Sequence, residues 1–519
     1  MSNMSKKLKI LCAVAILATL AFCLFASCAS NEPQGQNQGD ASNSADGQND
    51  PGDGGGKPPA EAKKEERERE EKEMLAGLPD ENFNGYTFNF ISRRETSPEW
   101  EIWGNRDIYS GEQNSEVIND AVYLRNIYIE ERYNCQIKEY QSFSMVADLK
   151  KTIKSGINAY DVALPPLNQG LNLAADGLLW KLGDIKTINL AGKWWDQNAN
   201  GSLSIGGELY FTSSDMLILN NDSTGAFVFN KKLIKDHALD DPYKLVADGK
   251  WTFDAFYSQA KRISQDINGD GVMDRNDKYG FMQYRDVLHC LFHGAGGNFG
   301  EKDKDDIPYM TLNNEKSISI LEKVFEIMND TDNTYRLHMT YKEGITNAFI
   351  LGESMFENNQ VLYYWLRLRD IEALRGMETD FGILPIPKWD EAQPNYRATV
   401  NFHVSTCITI PISNGDADKT GLFLDALSCK SKYTLQPAYY DITLNGKYVR
   451  DEESSEMLDI IFANRVYDIG LIGDFGGMRG SVDVMVDKDD RNFASAFEKA
   501  AARMEKDIDK VVQKIMDLN

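Results

Sequence analysis

Apolar and polar positions follow two rhythms along this chain. Gly85-Tyr86-Thr87-Phe88-Asn89-Phe90-Ile91 alternates with a period of two and predicts an opening strand. A helical period follows over Val117 to Arg132, then a second strand near Gln136-Ile137-Lys138. Tyr160 to Leu164 is a short apolar strand stopped by Pro165-Pro166, and Gly170 to Leu179 reads as helix. Gly207 to Phe211 and Ala226 to Phe229 are further strands. Thr252 caps a helix whose apolar face is Phe256, Ala260 and Ile263. The chain closes with a long helix carrying the stripe Phe497, Met504, Ile508, Val511 and Ile515. Strands alternating with helices predict an α/β architecture with mostly parallel sheets.

The amino terminus departs from both rhythms. Lys6, Lys7 and Lys9 precede an uncharged apolar run from Ile10 to Ala26. A positive start, an apolar middle and a small-residue exit form the layout of a secretory signal, and a run this long also suits a plain anchor helix. The exit Leu24-Phe25-Ala26-Ser27-Cys28 resembles a bacterial lipoprotein cleavage box, with Phe25 where leucine is preferred. That resemblance implies lipidation at Cys28 after removal of residues 1–27. Ala29 to Lys57 holds no aromatic residue and no aliphatic residue larger than alanine. Such a stretch cannot bury enough apolar surface to offset its ordering entropy, so residues 28–77 are expected to be a disordered tether. Its reach is on the order of 30 Å. Within it, Lys63 to Lys72 is almost wholly Lys, Glu and Arg, which suits a solvated helix as well as a tether.

Some 519 residues with a formal charge of -24 leave room for two lobes and argue against nucleic acid, which needs basic surface. Beyond the signal and Cys28, the widely spaced Cys135, Cys290, Cys407 and Cys429 offer no CxxC zinc spacing and are expected to be free, buried thiols. No organic cofactor is indicated. One stretch carries local metal chemistry. From Asp266 to Asp277, oxygen side chains stand at loop positions 1, 3, 5, 9 and 12 (Asp266, Asn268, Asp270, Asp274 and Asp277), with Gly271 at position 6. With the carbonyl of Val272, these are candidate ligands of a structural Ca2+. Asp277 replaces the longer Glu that calcium loops place last. A metal-free turn is the alternative, because Asn-Gly and Asp-Gly favour turns on their own.

Several segments, taken in order, resemble extracellular solute-binding proteins of sugar-type bacterial ABC transporters, family 1-like. They are Phe227-Val228-Phe229-Asn230-Lys231-Lys232-Leu233, Lys250-Trp251-Thr252-Phe253-Asp254-Ala255-Phe256, Lys278-Tyr279-Gly280-Phe281, Ala348 to Phe356, and Asp380-Phe381-Gly382-Ile383-Leu384-Pro385-Ile386-Pro387. The resemblance runs from about residue 83 to the end. It implies a two-lobed, periplasmic-binding-protein-like α/β fold with a hinge and an interlobe cleft. Lobe 1 would be residues 78–212 plus 348–435, and lobe 2 residues 213–347 plus 436–519. The implied function is capture of a small solute, a carbohydrate or oligosaccharide, outside the cell. The implied partners are an ABC permease and the membrane, through the lipid anchor. The chain would be a monomer and not an enzyme.

In such folds ligand groups come from loops at strand ends and from hinge-flanking segments. That places Arg93 and Arg94, Asn168 and Gln169, Asp215, Trp365 and Phe475 as candidate substrate-binding residues. Each also has a structural alternative: surface charge for the arginines, a turn for the amides, a helix cap for Asp215 and core for Trp365. Two other functions stay open. An exported carbohydrate-active enzyme would need paired carboxylates, and no such pair, GxSxG or HExxH is visible. A surface sensor or adhesin would bind without feeding a transporter.

Overall fold

The computed structural model describes residues 59–94, 103–440 and 452–518. The expected signal peptide, Cys28 and the tether up to residue 58 lie outside the described residues. The tether is shorter than expected at its other end. Pro59–Ala76 is a helix, joined to the body by Glu70–Lys193 at 2.8 Å and by a Glu71–Lys430 ion pair. Its charged face conceals one apolar anchor: Leu75, with Leu78 just beyond the helix, is buried in the main core.

The first sheet is wholly parallel. β1 (Tyr86–Arg93) lies between β2 (Cys135–Ser142) and β3 (Val162–Ala163). The alternation read from residues 85–91 buries Phe88 and Phe90 beneath the helix Ala417–Tyr433, whose Phe423 stacks on Phe88 at 3.8 Å. The segment 406–411 extends this lobe through single bridges to Ala163, Pro166 and Thr212. The strand expected at Gly207 to Phe211 is absent. Ile205 and Glu208 close a tight turn instead, and pairing resumes beyond it only as single bridges, Thr212 with Ile408 and Ser214 with Trp195.

The second sheet is mixed. β4 (Gly225–Asn230) and β5 (Tyr279–Gln283) are followed by a small hairpin, β6 (Gly300–Lys302) with β7 (Pro308–Met310). Then come β8 (Thr334–Arg336), β9 (Val361–Arg367) and β10 (Phe381–Leu384), and the sheet order is β10-β4-β9-β5-β8. β4 runs antiparallel to both neighbours; the β9, β5 and β8 pairings are parallel. This overturns the expected lobe boundary at residue 348. Every residue of β9 is buried, so the strand fits a central slot, and it takes the one between β4 and β5. The chain returns to the first sheet only with 406–411. Gly280 allows the helix Phe253–Lys261 to press on β5, since a Cβ there would meet the Ala260 carbonyl at 2.0 Å. Thr252 caps that helix as expected, accepting from the Ala255 N–H.

Between the sheets runs a narrow ribbon. β11 (Ala398–Thr399) pairs in parallel with β12 (Arg465–Val466), and Val400 bridges Thr224. The carboxyl-terminal region does not divide as expected either. Glu452–Ala463 packs on β10, whereas the closing helix Phe493–Met516 lies against Leu167–Ala175 of the first lobe, with Lys514 and Asp176 3.0 Å apart. Its stripe Phe497, Met504, Ile508 and Ile515 is buried. The four cysteines of the body are free and buried. Among the described residues no helix is long and apolar enough to cross a membrane.

Candidate binding site

β5, β8 and β9 run in the same direction, so their carboxyl ends share one edge of the second sheet. In open α/β sheets that edge is where ligands bind. Beyond it lies a cavity of about 300 Å3 whose walls include Trp103, Tyr284, Phe349, Glu353, Arg367 and Asp370. Tyr284 follows β5 directly, Arg367 is the last residue of β9, and Phe349 and Glu353 lie on the helix Ala348–Glu357, capped by the Asn347 side chain. Trp103 comes from the other lobe. The segment behind it is held by Gln141 of β2, which donates to the Asn105 carbonyl at 2.8 Å, and by Asp107, which accepts the N–H groups of Ile218 and Leu219.

The cavity is aromatic with a charged pair inside. Tyr284 and Phe349 stack at 4.9 Å with 29° between their planes. The Arg367 guanidinium lies 4.3 Å from the Trp103 ring centre and 5.1 Å from that of Phe349. It also donates from Nε to Asp370 at 2.8 Å. Burial works against the charge of Arg367, but Asp370 and Asp286 outweigh it and its pKa is raised. Glu353 is pushed up to about 7, first by burial and then by Asp370 and Glu357. At the same edge His338 is pushed down to about 4 by burial, although Asp487 stands 3.3 Å away. Gln283, which ends β5, is fully buried, and neither atom of its amide has a hydrogen-bond partner. Gln283 precedes Tyr284 in the chain but does not itself line the cavity.

The residues expected from sequence do not assemble here. Arg93 comes nearest: it donates to the His403 carbonyl at 2.7 Å and to the Trp103 carbonyl at 3.2 Å, and so positions the tryptophan. Arg94 is exposed, over the Phe143 ring. Trp365 is core. It is 2 % exposed, cross-strand from Phe227, with its indole nitrogen against Gly225 and Cys290. Phe475 is likewise buried, and with Gln169 it borders a separate hollow of about 350 Å3 walled by Lys150, Asp176 and Lys514. Asn168 sits in the first turn of the helix Leu167–Ala175, where its carbonyl accepts from Asn172. Asp215 faces a third pocket, of about 410 Å3, with Lys432 3.6 Å away, and burial pushes its carboxyl up to about 6. Trp194 and Trp195 are both buried, each donating to Asp425 Oδ1.

Sequence reasoning missed Trp103, Tyr284, Phe349, Glu353, Arg367 and Asp370. A signal existed for two of them. Tyr284 and Arg367 are the residues at the ends of β5 and β9, where the strand-end rule points.

The Asp266–Asp277 loop is closed by its own hydrogen bonds. Asp266 accepts the N–H groups of Gly269 and Gly271, both at positive φ, as the tight turn requires. Asp277 is fully buried, and its two oxygens accept from Ile267 and Asp274. Its carboxylate is thereby spent on stapling the two ends of the loop. Among the described residues no three His, Cys, Asp or Glu side chains converge as a metal site. The fit to calcium is therefore partial: Asn268, Asp270, Val272 and Asp274 remain on the open arc, and the twelfth-position ligand is otherwise engaged.

No family model and no curated protein sequence matches the chain. Solved structures do. A cyclo/maltodextrin-binding protein complexed with maltotetraose superposes with a TM-score of 0.53 at 14 % identity, covering 83 % of this chain and 98 % of the other. UspC of M. tuberculosis gives 0.51 at 12 % identity, over 81 % and 100 %. An ABC substrate-binding protein of Listeria monocytogenes in complex with cycloalternan gives 0.50 at 12 % identity, over 81 % and 98 %. These likenesses show the fold: two α/β lobes of the periplasmic-binding-protein type.

Proposed function

We propose that this chain is an extracellular solute-binding protein that captures a saccharide between its lobes and presents it to an ABC permease. The observation that carries this reading is the aromatic cavity, which takes Trp103 from one lobe and Tyr284, Phe349 and the Arg367–Asp370 pair from the other. A sugar ring offers apolar faces to aromatic walls and hydroxyls to charged groups, which serve both as donors and as acceptors. A ligand that touches both lobes favours their closed arrangement by its differential contacts. Two of the solved neighbours hold maltotetraose and cycloalternan, so these are the first probes.

A glycosidase needs two working carboxyl groups. Here Asp370 is engaged by Arg367, which leaves Glu353 without a free partner in the cavity. The reading extends to location. Cys28 is the proposed lipid-bearing residue, and residues 29–58 are the proposed spacer from the outer face of the membrane.

Calorimetry of the full chain against maltotetraose, cycloalternan and a wider oligosaccharide panel tests the central claim. At least one should bind without being cleaved, with compaction in solution scattering. Binding confined to oligopeptides would replace the ligand class, and turnover of a glycoside would sink the reading. For the anchor, Cys28→Ser should abolish labelling by a lipid precursor; unchanged labelling would exclude it.

A further inference from the structure

The chain enters the hinge ribbon at Arg397 and leaves it near His403. The aromatic cavity belongs to the second end. At the first end lies an open groove of about 720 Å3, which shares no lining residue with that cavity. Its walls come from the helix Gln197–Leu203, the turn Gly296–Asn298, β6, the segment before β11, and β12. Lys302 of β6 reaches across and donates to Ser204 Oγ at 2.8 Å, so both lobes take part.

Arg397 is the unusual group there. It is half-buried, and its guanidinium gives two hydrogen bonds, to the Gly297 carbonyl at 3.2 Å and to Asn298 Oδ1 at 2.6 Å. Two of its five N–H groups are thus used, and both acceptors are neutral. It forms no ion pair with a carboxylate among the described residues. The two acids that border the groove are committed elsewhere. Asp468 accepts from His293 Nε2 at 2.9 Å and from the N–H groups of Phe299, Gly300, Gly470 and Leu471. Glu301 accepts from Asn298 and from the Tyr309 hydroxyl. Burial pushes the Arg397 pKa below its ordinary value, and Asp468 and Glu301 offset this only in part. Lys316 stands at the same turn with one contact, to the Gly296 carbonyl at 3.3 Å, and also lacks a carboxylate partner among the described residues. In a chain of net charge -24, two cations that bond only neutral groups of the turn Gly296–Asn298 mark a place for an external anion.

The rest of the lining narrows its chemistry. The amides of Asn198, Asn298 and Asn464 line the groove, each with an N–H left over after one contact to Ala463, Glu301 or Ile460, and amides read hydroxyls; Gln393 is spent on Gly294, Asn395 and Trp389. Glu301 and Asp468 on the same wall oppose a dianion more strongly than a monoanion. We propose that this groove is a second ligand site, for a carboxylate-bearing saccharide, with Arg397 and Lys316 receiving the carboxylate and the amides reading the hydroxyls. The proposal stands apart from the aromatic cavity and does not depend on what fills it.

The test is calorimetry of the full chain with cellobiouronic acid, with cellobiose as the neutral counterpart and inorganic phosphate as the small anion. The uronate should bind at least about tenfold more tightly than cellobiose, and Arg397→Gln should weaken it by about 10- to 100-fold, the scale of hydrogen bonds to a charged group. Lys316→Gln, at an exposed position that folding does not require, should weaken it several-fold. Equal affinity for uronate and cellobiose would overturn the proposal, as would phosphate binding in place of the uronate. If Arg397→Gln does not fold, Lys316→Gln decides: an unchanged uronate affinity in that variant rejects the site.

Discussion

The guanidinium of Arg367 lies 4.3 Å over the ring of Trp103, and the two residues belong to different lobes. Trp103 hangs from the first lobe by the backbone contacts of Arg93 and Gln141. Arg367 ends a central strand of the second. The contact spans the interlobe space at the edge where a ligand is expected. Trp103→Ala should weaken saccharide binding by about 1–3 kcal/mol, the worth of a buried aromatic wall. Arg367→Lys should weaken it as well, because an ammonium neither stacks as a plane nor forks to Asp370. Calorimetry on both variants checks this, and wild-type affinity in Trp103→Ala would remove the cavity from consideration.

Trp365 gives the contrasting outcome. It is packed within the second sheet, so Trp365→Ala should cost about 3–5 kcal/mol of stability through the cavity it leaves. The affinity of the protein that remains folded should not change. Denaturant unfolding beside calorimetry separates the two effects.

Glu353 makes stability depend on pH in a defined direction. Its native pKa stands near 7 against an ordinary 4.5, so between those values the folded state holds a proton that the unfolded state has lost. This contribution to stability is therefore full below about pH 4.5 and falls as pH rises toward 7. Glu353→Gln should raise the melting temperature at pH 8 and leave it nearly unchanged at pH 4. An equal shift at both pH values would mean that the carboxyl is not perturbed.

The Asp266–Asp277 loop is proposed to bind Ca2+ through its open arc, with Asp277 left to its backbone contacts. At a hundred times the dissociation constant a ligand adds about 2.7 kcal/mol, visible as a higher melting temperature. Asp270→Ala should abolish that rise while leaving the calcium-free melting temperature within a few degrees. Identical melting with calcium and with chelator would assign the loop as a plain turn.

The helix Pro59–Ala76 should act as part of the folded body. Leu75→Ala should destabilise the protein by about 2–5 kcal/mol, the range for a truncated core leucine. A tether residue would give no change.

The sequence by itself determined the local structure. Alternation around Phe88 and Phe90 was enough for β1, because from Thr87 to Phe90 burial alternates and a period of two has one solution, although Ile91 and Ser92 beyond it are buried on both faces. The stripe of the closing helix and the Thr252 cap were equally legible, since both depend on neighbours within four residues. The order of segments carried the two-lobed fold. Only the tertiary structure decided which lobe β9 and β10 join, because an all-apolar strand suits any central slot and its pairing partners lie more than a hundred residues away in β4. It also decided the site. Nothing local distinguishes Trp103, which lines the cavity, from Trp365, which fills the core. The difference arises where the ends of strands distant in sequence meet across two lobes, and that meeting depends on sheet order and not on the identity of either tryptophan.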